Sequence, residues 1–568
     1  MDGLVTTGGL VDIATGSKMH VNGIGASLVN DLLGDSYPTL TNFLSGFRIG
    51  VAQLGGTINI ATGGTLRVDN NVVTLGGTLY LNPRGQLTAN SIMAIGGTVD
   101  NHYGSITIDV TFGLGGHIVN YGQLEAKGAY SDVLEPLYEA IPVLSNFKQL
   151  EVGHIQVAGI TENNASWKLD SNLVSVGGLI KNNGDLDVQA IVVDDAGRIE
   201  TTDASLINNQ VTWMVGGTME NRGLIVSTGL ELSLPDLPDW NELDHFFEEM
   251  ENEAHIGYFQ SAGDMINEGW ISIGDGDNLA HMILKGDAYF NNKKDAVLNT
   301  STLYTAEDAK LENHGIVEID HLHMENGTVY NAAGASWIVD GLTDMHGGAF
   351  YNNGHMDFGH LNLVAGQIIN GNVIEVKQLQ TTEAMDIQMV GGVMRVEELM
   401  DGSHLNIYGA KEQYAPAVIA IKDAAESSTV HVYDKGLVVV GTNDEAHAVK
   451  TIGDEIVFAN EVTGMVYFTH ESPETKSYEP IAGRFIVGKA STYAANDRTA
   501  SYIYKGGLFV VDMDDSDVTG SIPLLRNTLH VYGGDLYLAN AELGQEIKIT
   551  AGEFNYHRGV GRLSAGDR

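Results

Sequence analysis

Apolar and polar residues alternate in short segments along much of this chain. Segments such as 316–319 and 356–358 show this alternation, and a period of two is typical of half-buried β-strands rather than helices. Successive segments align at spacings of 18 to 20 residues, which produces three apolar files: Leu322, Leu342, Leu361 and Leu379; Ile319, Val339, Phe358 and Val376; Val317, Trp337, Met356 and Ile374. We predict that each file stacks in the interior of a coiled sheet, with one residue per coil.

A phrase of apolar residue, Gly-Gly, small or polar residue, apolar residue, any residue and Asn marks the same period. It occurs, complete or in part, at residues 75–79, 95–101, 114–120, 176–182 and 215–221. The first glycines of the pairs at Gly55, Gly76, Gly96 and Gly115 are 21, 20 and 19 residues apart. Such a period, with a turn signal in each copy, is typical of a solenoid.

The residue types of this phrase predict its local structure. Glycine permits the positive φ that a corner requires. We predict that each asparagine adopts a left-handed bend and that its side-chain amide bonds to the asparagines of the neighbouring coils.

These patterns predict an all-β protein whose centre, residues 51–400, is a right-handed parallel β-helix of ~20-residue coils spaced by about 4.8 Å. Residues 1–50 lack the phrase, and we predict a cap or docking segment with short helices. Two amphipathic segments, near 126–148 and 235–255, are predicted to be helical insertions that either pack on the coil or contact a partner. Residues 401–568 are predicted to be an irregular continuation of the β-helix or a β-rich terminal domain.

The longer phrase Gly-Gly-Thr, apolar, any, Asn, any, Gly, as at residues 216–223, resembles the repeats of filamentous haemagglutinins and autotransporter passengers. Those are secreted, right-handed β-helical proteins of diderm bacteria. The resemblance covers roughly residues 50–400 of this chain. It implies an extracellular or cell-surface protein.

Charge and composition narrow the classes of partner. The chain has 30 basic and 73 acidic side chains, a formal net charge of −43, and no cysteine. This excess of acidic side chains argues against binding to nucleic acids or anionic membrane surfaces, because their negative phosphates require a basic protein face. The lack of cysteine excludes disulfides, cysteine-bound zinc and thiol catalysis. No apolar run is long enough to span a bilayer, so we expect no membrane insertion. If the protein is secreted, its signal peptide has been removed from this sequence.

Two acidic loops are candidate calcium sites. Calcium takes six to eight oxygen ligands, and alternate aspartates on a turn can supply them. The larger loop contains Asp512, Asp514, Asp515 and Asp517, and the smaller one contains Asp275 and Asp277. Neither has the glutamate of an EF-hand loop, and the alternative is a solvated acidic turn.

Histidines form a further candidate metal site. His321 and His323 lie on one side of a predicted strand, and the predicted register places His360 near His321. Three imidazoles can bind zinc or copper. The same register places Thr343 and Asn362 beside His323, which favours an ordinary polar ladder on the surface.

An enzyme needs paired carboxylates or a calcium and a basic residue in a groove if it is to cleave a polysaccharide, as some β-helices do. No spacing marks such a pair, the common nucleophile, metalloprotease and phosphate-loop motifs are missing, and the aromatic residues are scattered along the sequence. We therefore expect a structural or adhesive protein and no enzyme. It would self-associate into an oligomer, filament or layer, or bind a glycan or protein on a host or cell surface. The alternative is a β-helix that binds or cleaves polysaccharide, such as a phage tailspike or lyase.

Overall fold

The computed structural model describes residues 3–22, 44, 46–129, 131–141, 144, 147–194, 196–231, 255–274, 280–382, 385–390 and 392–409, and beyond residue 417 only the strands given below. The chain divides into two compact units, Met1–Leu303 and Tyr304–Arg568. The protein is all-β and forms a parallel β-solenoid of ~20-residue coils, as predicted.

The amino-terminal unit contains 28 of the described strands, the last of which ends two residues beyond the unit. They are β1 Leu4–Ile13, β2 Lys18–Val21, β3 Ile49–Ile60, β4 Thr65–Val68, β5 Asn71–Thr74, β6 Thr78–Leu81, β7 Gln86–Thr88, β8 Ser91–Ala94, β9 Thr98–Asn101, β10 Ser105–Ile108, β11 Val110–Asn120, β12 Gln123–Ala126, β13 Val152–Asn163, β14 Ser166–Leu169, β15 Asn172–Ser175, β16 Leu179–Asn182, β17 Asp185–Asp187, β18 Ala190–Val193, β19 Arg198–Thr201, β20 Leu206–Asn209, β21 Val211–Asn221, β22 Leu224–Ser227, β23 Leu230–Glu231, β24 His255–Asn267, β25 Trp270–Ile273, β26 Ala280–Leu284, β27 Tyr289–Asn292 and β28 Val297–Thr305.

Each coil of this unit has three faces, which are separate short strands in some coils and joined in others. In the coil formed by β4, β5 and β6, each strand pairs in parallel with its equivalent in the next coil, namely β7, β8 and β9. One interior file runs through ten coils of the unit, and every member is at most 2% exposed: Leu66, Leu87, Ile106, Leu124, Trp167, Leu186, Ile207, Ile225, Ile271 and Leu298. Stacked apolar side chains therefore fill the coil.

The carboxy-terminal unit contains the other described strands. They are β29 Lys310–Asn313, β30 Ile316–Met324, β31 Thr328–Asn331, β32 Ser336–Met345, β33 Ala349–Asn352, β34 His355–Leu363, β35 Gly366–Asn370, β36 Val373–Thr381, β37 Met385–Met389, β38 Val393–Leu399, β39 His404–Gly409, β40 Val418–Ala424, β41 Thr429–Tyr433, β42 Leu437–Val440, β43 Lys450–Ile452, β44 Glu455–Val457, β45 Arg484–Val487, β46 Ala500–Tyr504, β47 Leu508–Val511, β48 Leu524–Leu525, β49 Thr528–Tyr532, β50 Asp535–Ala539, β51 Glu542–Leu543, β52 Ile547–Ala551, β53 Phe554–His557 and β54 Val560–Gly561.

Up to residue 400, a coil of this unit has one long bent strand and one short strand. The long strands β30, β32, β34, β36 and β38 pair in parallel, as do the short strands β29, β31, β33, β35 and β37. Beyond Asp401, parallel pairing continues from β38 to β40, β42, β45, β47, β50 and β53. The region from 401 to 568 is therefore mostly β, as predicted.

Two of the three predicted apolar files are confirmed, and one is wrong at a single position. The files that begin at Ile319 and at Val317 pair residue by residue as predicted. In the third file, Leu322 pairs with Thr343 instead of Leu342, and Thr343 pairs with Leu361. Thr343 is fully buried and Leu342 is 40% exposed. The register shifts between Ile319 and Leu322, and a slip of one residue turns a side chain to the opposite face.

Most of the glycine pairs have the positive φ that was predicted for corners, although Gly96 and Gly97 do not. The second glycine has positive φ at Gly56, Gly77, Gly178 and Gly217. A Cβ atom built on Gly77 would lie 2.3 Å from the carbonyl oxygen of Gly56 in the neighbouring coil. Stacking therefore leaves no room for a side chain at this corner.

The asparagine ladder is confirmed, although its backbone differs from the prediction. In the amino-terminal unit, side-chain amides join Asn101, Asn120, Asn163 and Asn182, and then Asn221, Asn267 and Asn292, at 2.7–2.9 Å. In the carboxy-terminal unit they join Asn313, Asn331, Asn352 and Asn370 at 2.9 Å. Each of these residues ends a strand and none is among the residues with positive φ, so the predicted left-handed bend is wrong. The ladder needs only stacked strand ends.

The structure describes much of the first predicted insertion but almost none of the second. A helix, α1, spans Ser131–Ala140 within the first insertion, and its Leu134, Leu137 and Tyr138 are buried. The second insertion lies almost entirely outside the described residues, as do most of the short helices predicted before residue 50. No described helix combines the length and apolar character that a membrane crossing requires.

The solenoid begins earlier than the glycine pairs from Gly55 onward indicate. Strand β1 pairs in parallel with β3, and β2 with β4. A glycine pair, Gly8–Gly9, does occur in β1, but 47 residues separate Gly8 from Gly55. The long connection between β2 and β3 hides the period in the sequence.

Candidate functional site

The predicted calcium ligands lie outside the described residues. This applies to Asp512, Asp514, Asp515 and Asp517, and equally to Asp275 and Asp277. Calcium binding at these loops therefore stays a prediction.

The structure does not gather the three predicted histidines. His321 accepts a hydrogen bond at Nδ1 from the backbone N–H of Leu342, 3.2 Å away, and His360 lies opposite Leu342 and Gln378. His323 pairs with Asp344. The prediction that Thr343 lies beside His323 is wrong, because the register shift described above moves the pairing by one residue. Among the described residues, one group of potential metal-ligating side chains has donor atoms within 4.8 Å of one another, and it contains His323 with Asp344 and His346.

A group of partly or fully exposed rings crosses three coils of the amino-terminal unit, and we call it the aromatic strip: Tyr80, His102, Tyr103 and Tyr121. The ladder positions two of these rings. His102 follows Asn101 and Tyr121 follows Asn120, and these two asparagines are hydrogen-bonded to each other. Tyr80 stacks on His102 with ring centroids 5.7 Å apart. Tyr121 makes an edge-to-face contact with His102 at 5.9 Å and lies tilted against Tyr103 at 6.3 Å. Tyr103 is 60% exposed and Tyr121 is 38% exposed.

Asp100 lies beside the aromatic strip, opposite Tyr80 in the neighbouring coil. Burial raises the pKa of Asp100 above its ordinary value, and the positive charges of His102 and His117 oppose this shift. The Oδ1 atom is buried and has no hydrogen-bond partner among the described atoms. Burial, followed by the charge of Asp100, also raises the pKa of Tyr80. This edge of the strip therefore holds a carboxyl group that accepts a proton more readily than a free aspartate.

The strip has the chemistry of a carbohydrate-contact surface. Aromatic faces stack on the apolar faces of sugar rings, while tyrosine hydroxyls and a carboxylate exchange hydrogen bonds with sugar hydroxyls. The sequence interpretation that aromatic residues are scattered missed this surface. His102 and Tyr121 are 19 residues apart, which is one coil, so the solenoid period was the signal for this pair. Tyr80 lies opposite Asp100 instead, two residues away from the position of His102.

A second polar group, centred on His154, lies inside the coil and is closed to solvent. The His154 ring contacts the hydroxyl of Thr111 at 2.6 Å through Nδ1 and Oε1 of Gln156 at 3.0 Å through Nε2. Because Oε1 of Gln156 accepts hydrogen bonds, Nε2 must carry the proton, and the Thr111 hydroxyl then donates to Nδ1. Burial lowers the pKa of His154 to about 3, against the opposing hydrogen bond to Gln156. With no exposed surface, this group serves the core rather than a ligand.

Comparisons with known proteins add no family. Searches against protein-family models, curated proteins and solved structures each found no match for this chain.

Proposed function

We propose that this protein is an extracellular structural or adhesive protein, displayed on a cell surface or assembled into a surface filament or layer. The observation that carries the proposal is the filled interior of the described coils. Apolar files and a ladder of buried asparagines occupy the space inside them, so ligands and partners must meet the outer faces and the ends. The resemblance of the repeat to filamentous haemagglutinins and autotransporter passengers supports the same class of function.

Self-association has a physical route at β1, the first of the described strands. Among the described strands, β1 pairs with β3 alone. Leu10 in this strand is 67% exposed, and a Cβ atom built on Gly8 or Gly9 would meet no atom within 4 Å. A strand edge with unpaired backbone groups can pair with another strand. We therefore expect a second copy to add to the solenoid at this edge.

Electron microscopy and analytical ultracentrifugation of the purified chain test this proposal. We expect ordered filaments, sheets or smaller oligomers, and we expect Leu10→Lys to reduce them because it places a charge beside the pairing edge. The control is Leu224→Lys, since Leu224 is also exposed but lies in β22, which pairs on both sides with β20 and β25. Equal assembly by the native chain and both variants would exclude the β1 edge, and a chain that is monomeric in every condition would contradict self-assembly.

Polysaccharide binding is the second candidate function, and the aromatic strip favours it. We expect the native chain to be retarded by capsular or plant-wall polysaccharide in affinity electrophoresis. Tyr103→Ala and Tyr121→Ala should each weaken the retardation, because stacking on an exposed aromatic ring contributes on the order of 1 kcal/mol per ring. The control is Tyr351→Ala, another exposed tyrosine that lies in the carboxy-terminal unit.

The same samples separate binding from cleavage. Release of new reducing ends from the polysaccharide, together with a trimer in the ultracentrifuge, would favour a tailspike-like enzyme and overturn the structural proposal. Retardation that is identical in all three tyrosine variants would exclude the strip.

A further inference from the structure

Three potential metal ligands from neighbouring coils meet on the surface of the carboxy-terminal unit. His323 lies in β30, Asp344 lies opposite it in β32, and His346 follows β32 directly. Their donor atoms all lie within 4.8 Å of one another. The side chains are 22%, 25% and 39% exposed, in that order, so an ion can reach them from solvent.

The distances are close to those of one coordination sphere. Oδ2 of Asp344 lies 3.0 Å from Nε2 of His346 and 4.0 Å from Nδ1 of His323. Two donors that each lie about 2.0–2.2 Å from one zinc ion in tetrahedral geometry are roughly 3.3–3.5 Å apart. These two pairs bracket this value. The 3.0 Å pair is a hydrogen bond whose proton an ion would replace, and the 4.0 Å pair reaches the tetrahedral distance with a shift of about half an ångström.

Neighbouring groups hold two of these ligands in the orientation that a metal needs. Nε2 of His323 donates to Oε1 of Glu325 at 2.8 Å, which leaves Nδ1, the nitrogen nearer Asp344, as the unprotonated donor. Oδ1 of Asp344 accepts a hydrogen bond from Nδ2 of Asn362 at 2.7 Å, which leaves Oδ2 toward the two imidazoles. A carboxylate behind a ligating histidine and a hydrogen bond behind a ligating carboxylate are the usual supports of a metal site.

The ring of Tyr304 adds a third support. It stacks on His323 with centroids 5.2 Å apart and an angle of 9° between the planes. The imidazole of His323 is therefore held between a parallel ring on one coil and Asp344 on the next. This restricts rotation about its side-chain bonds, so that less conformational entropy is lost when an ion binds.

We propose that Nδ1 of His323, Oδ2 of Asp344 and Nε2 of His346 bind a divalent transition-metal ion of the zinc class, with water in the remaining position. Two imidazoles and one carboxylate suit zinc, copper, nickel or cobalt, whereas calcium requires six to eight oxygen ligands. The protein is rich in carboxylates, but at this site the two imidazoles, and not the overall charge, determine which metal ion is preferred. The proposal is independent of the structural or adhesive function.

Metal titration of the full chain tests the site. Zinc chloride is the probe in calorimetry, and cobalt chloride is the probe in visible absorption, where coordinated imidazole changes the spectrum of the ion. We expect saturable zinc binding that Asp344→Asn and His346→Gln each weaken by roughly tenfold or more. Glu325→Ala, which removes the support behind His323, should weaken binding by a smaller factor.

The control is His314→Gln, an exposed histidine that lies 3.8 Å from one carboxylate, Glu312, and outside the cluster. This variant should bind zinc like the native chain. Melting curves without metal verify that each variant folds, since all the substituted side chains lie at the surface. The proposal is overturned if the native chain shows no saturable zinc binding, or if Asp344→Asn and His346→Gln bind zinc as tightly as the control.

Discussion

Gly77 and Gly63 have similar backbones but very different surroundings, and so they separate two costs of a side chain at a corner. Their φ angles are +79° and +69°. A Cβ atom on Gly77 would lie 2.3 Å from the oxygen of Gly56, whereas one on Gly63 would meet no atom within 4 Å. A residue with a side chain would be strained at either φ value. Only at Gly77 would that side chain also collide with the backbone of the neighbouring coil.

We expect Gly63→Ala to lower the free energy of unfolding by about 1 kcal/mol, through backbone strain alone. Gly77→Ala should cost roughly 1–3 kcal/mol more, because a backbone carbonyl cannot move aside without disturbing the next coil. Urea denaturation followed by circular dichroism measures both. Equal losses would mean that the coils separate easily at this corner.

His154 links stability to pH, and the direction follows from its lowered pKa. The unfolded chain takes up a proton near the ordinary value of 6.5, whereas in the folded chain burial lowers the pKa of His154 to about 3. Between these values the unfolded state binds more protons, so stability falls as pH falls. Its contribution is fully present above about pH 6.5 and is lost progressively down to about pH 3.

We expect the native chain to lose about 2 kcal/mol relative to His154→Gln between about pH 6.5 and pH 5. The glutamine retains a polar group of similar reach but does not titrate. The comparison uses urea denaturation at each pH, and the difference between the two chains removes the contribution of the carboxylates. Parallel pH profiles would show that His154 takes up a proton in the folded state as readily as in the unfolded one.

At the scale of structural elements, the asparagine ladder ties the ends of successive strands together. Nδ2 of Asn331 donates to Oδ1 of Asn352 and to the carbonyl oxygen of His355, each at 2.9 Å, and its own Oδ1 accepts from Asn313. Within the ladder, threonine is accepted at this position, because Thr201 occupies it between Asn182 and Asn221 and donates to Asn221 at 2.8 Å. What the ladder requires is a buried polar group that bonds along the stack.

We expect Asn331→Leu to lower the free energy of unfolding by about 2–4 kcal/mol, because it leaves polar groups of Asn313, Asn352 and His355 buried without this partner. Asn331→Thr should cost less, as the chain's own use of Thr201 indicates. Asn353→Ala is the control, since Asn353 is exposed. Chemical denaturation measures all three. An Asn331→Leu loss no larger than the control would show that the ladder contributes little.

At the scale of the whole molecule, charge is the dominant property. A formal net charge of −43 produces repulsion that opposes the compact state and the approach of a second copy. The ion pairs of the described residues are mostly exposed, such as Arg222 with Glu268, and exposed pairs offset little of this repulsion. Salt should therefore favour both folding and association.

We expect the melting temperature to rise by a few degrees, and assemblies to grow, as sodium chloride increases from about 0.01 M to 0.15 M, where the screening length falls from about 30 Å to 8 Å. Differential scanning calorimetry and light scattering measure the two effects. Sucrose at matching osmolarity, which adds no charge, is the control. A melting temperature that falls with salt would show that attractive ion pairs outweigh the net charge.

The parallel solenoid, its corners, its interior files and its asparagine ladder could be predicted from the sequence. The reason is that every coil repeats one environment, so that a glycine at a crowded corner or an asparagine at a strand end recurs each period. Leu322 and Leu361 were placed correctly for that reason, while Leu342 was not, because one additional residue at a bend changes which side chain points inward.

Which surface groups meet depends on how the coils stack, and this was not visible in the sequence. His323, Asp344 and His346 join across coils only once the register shift between Ile319 and Leu322 is known. The rings of the aromatic strip come together because successive ladder asparagines stack. The first coil was hidden because the long connection after β2 interrupts the period without disturbing the pairing of β1 with β3. Stacking depends on strand pairing, and pairing tolerates connections of any length at the corners, so spacing along the chain predicts the interior well and the surface poorly.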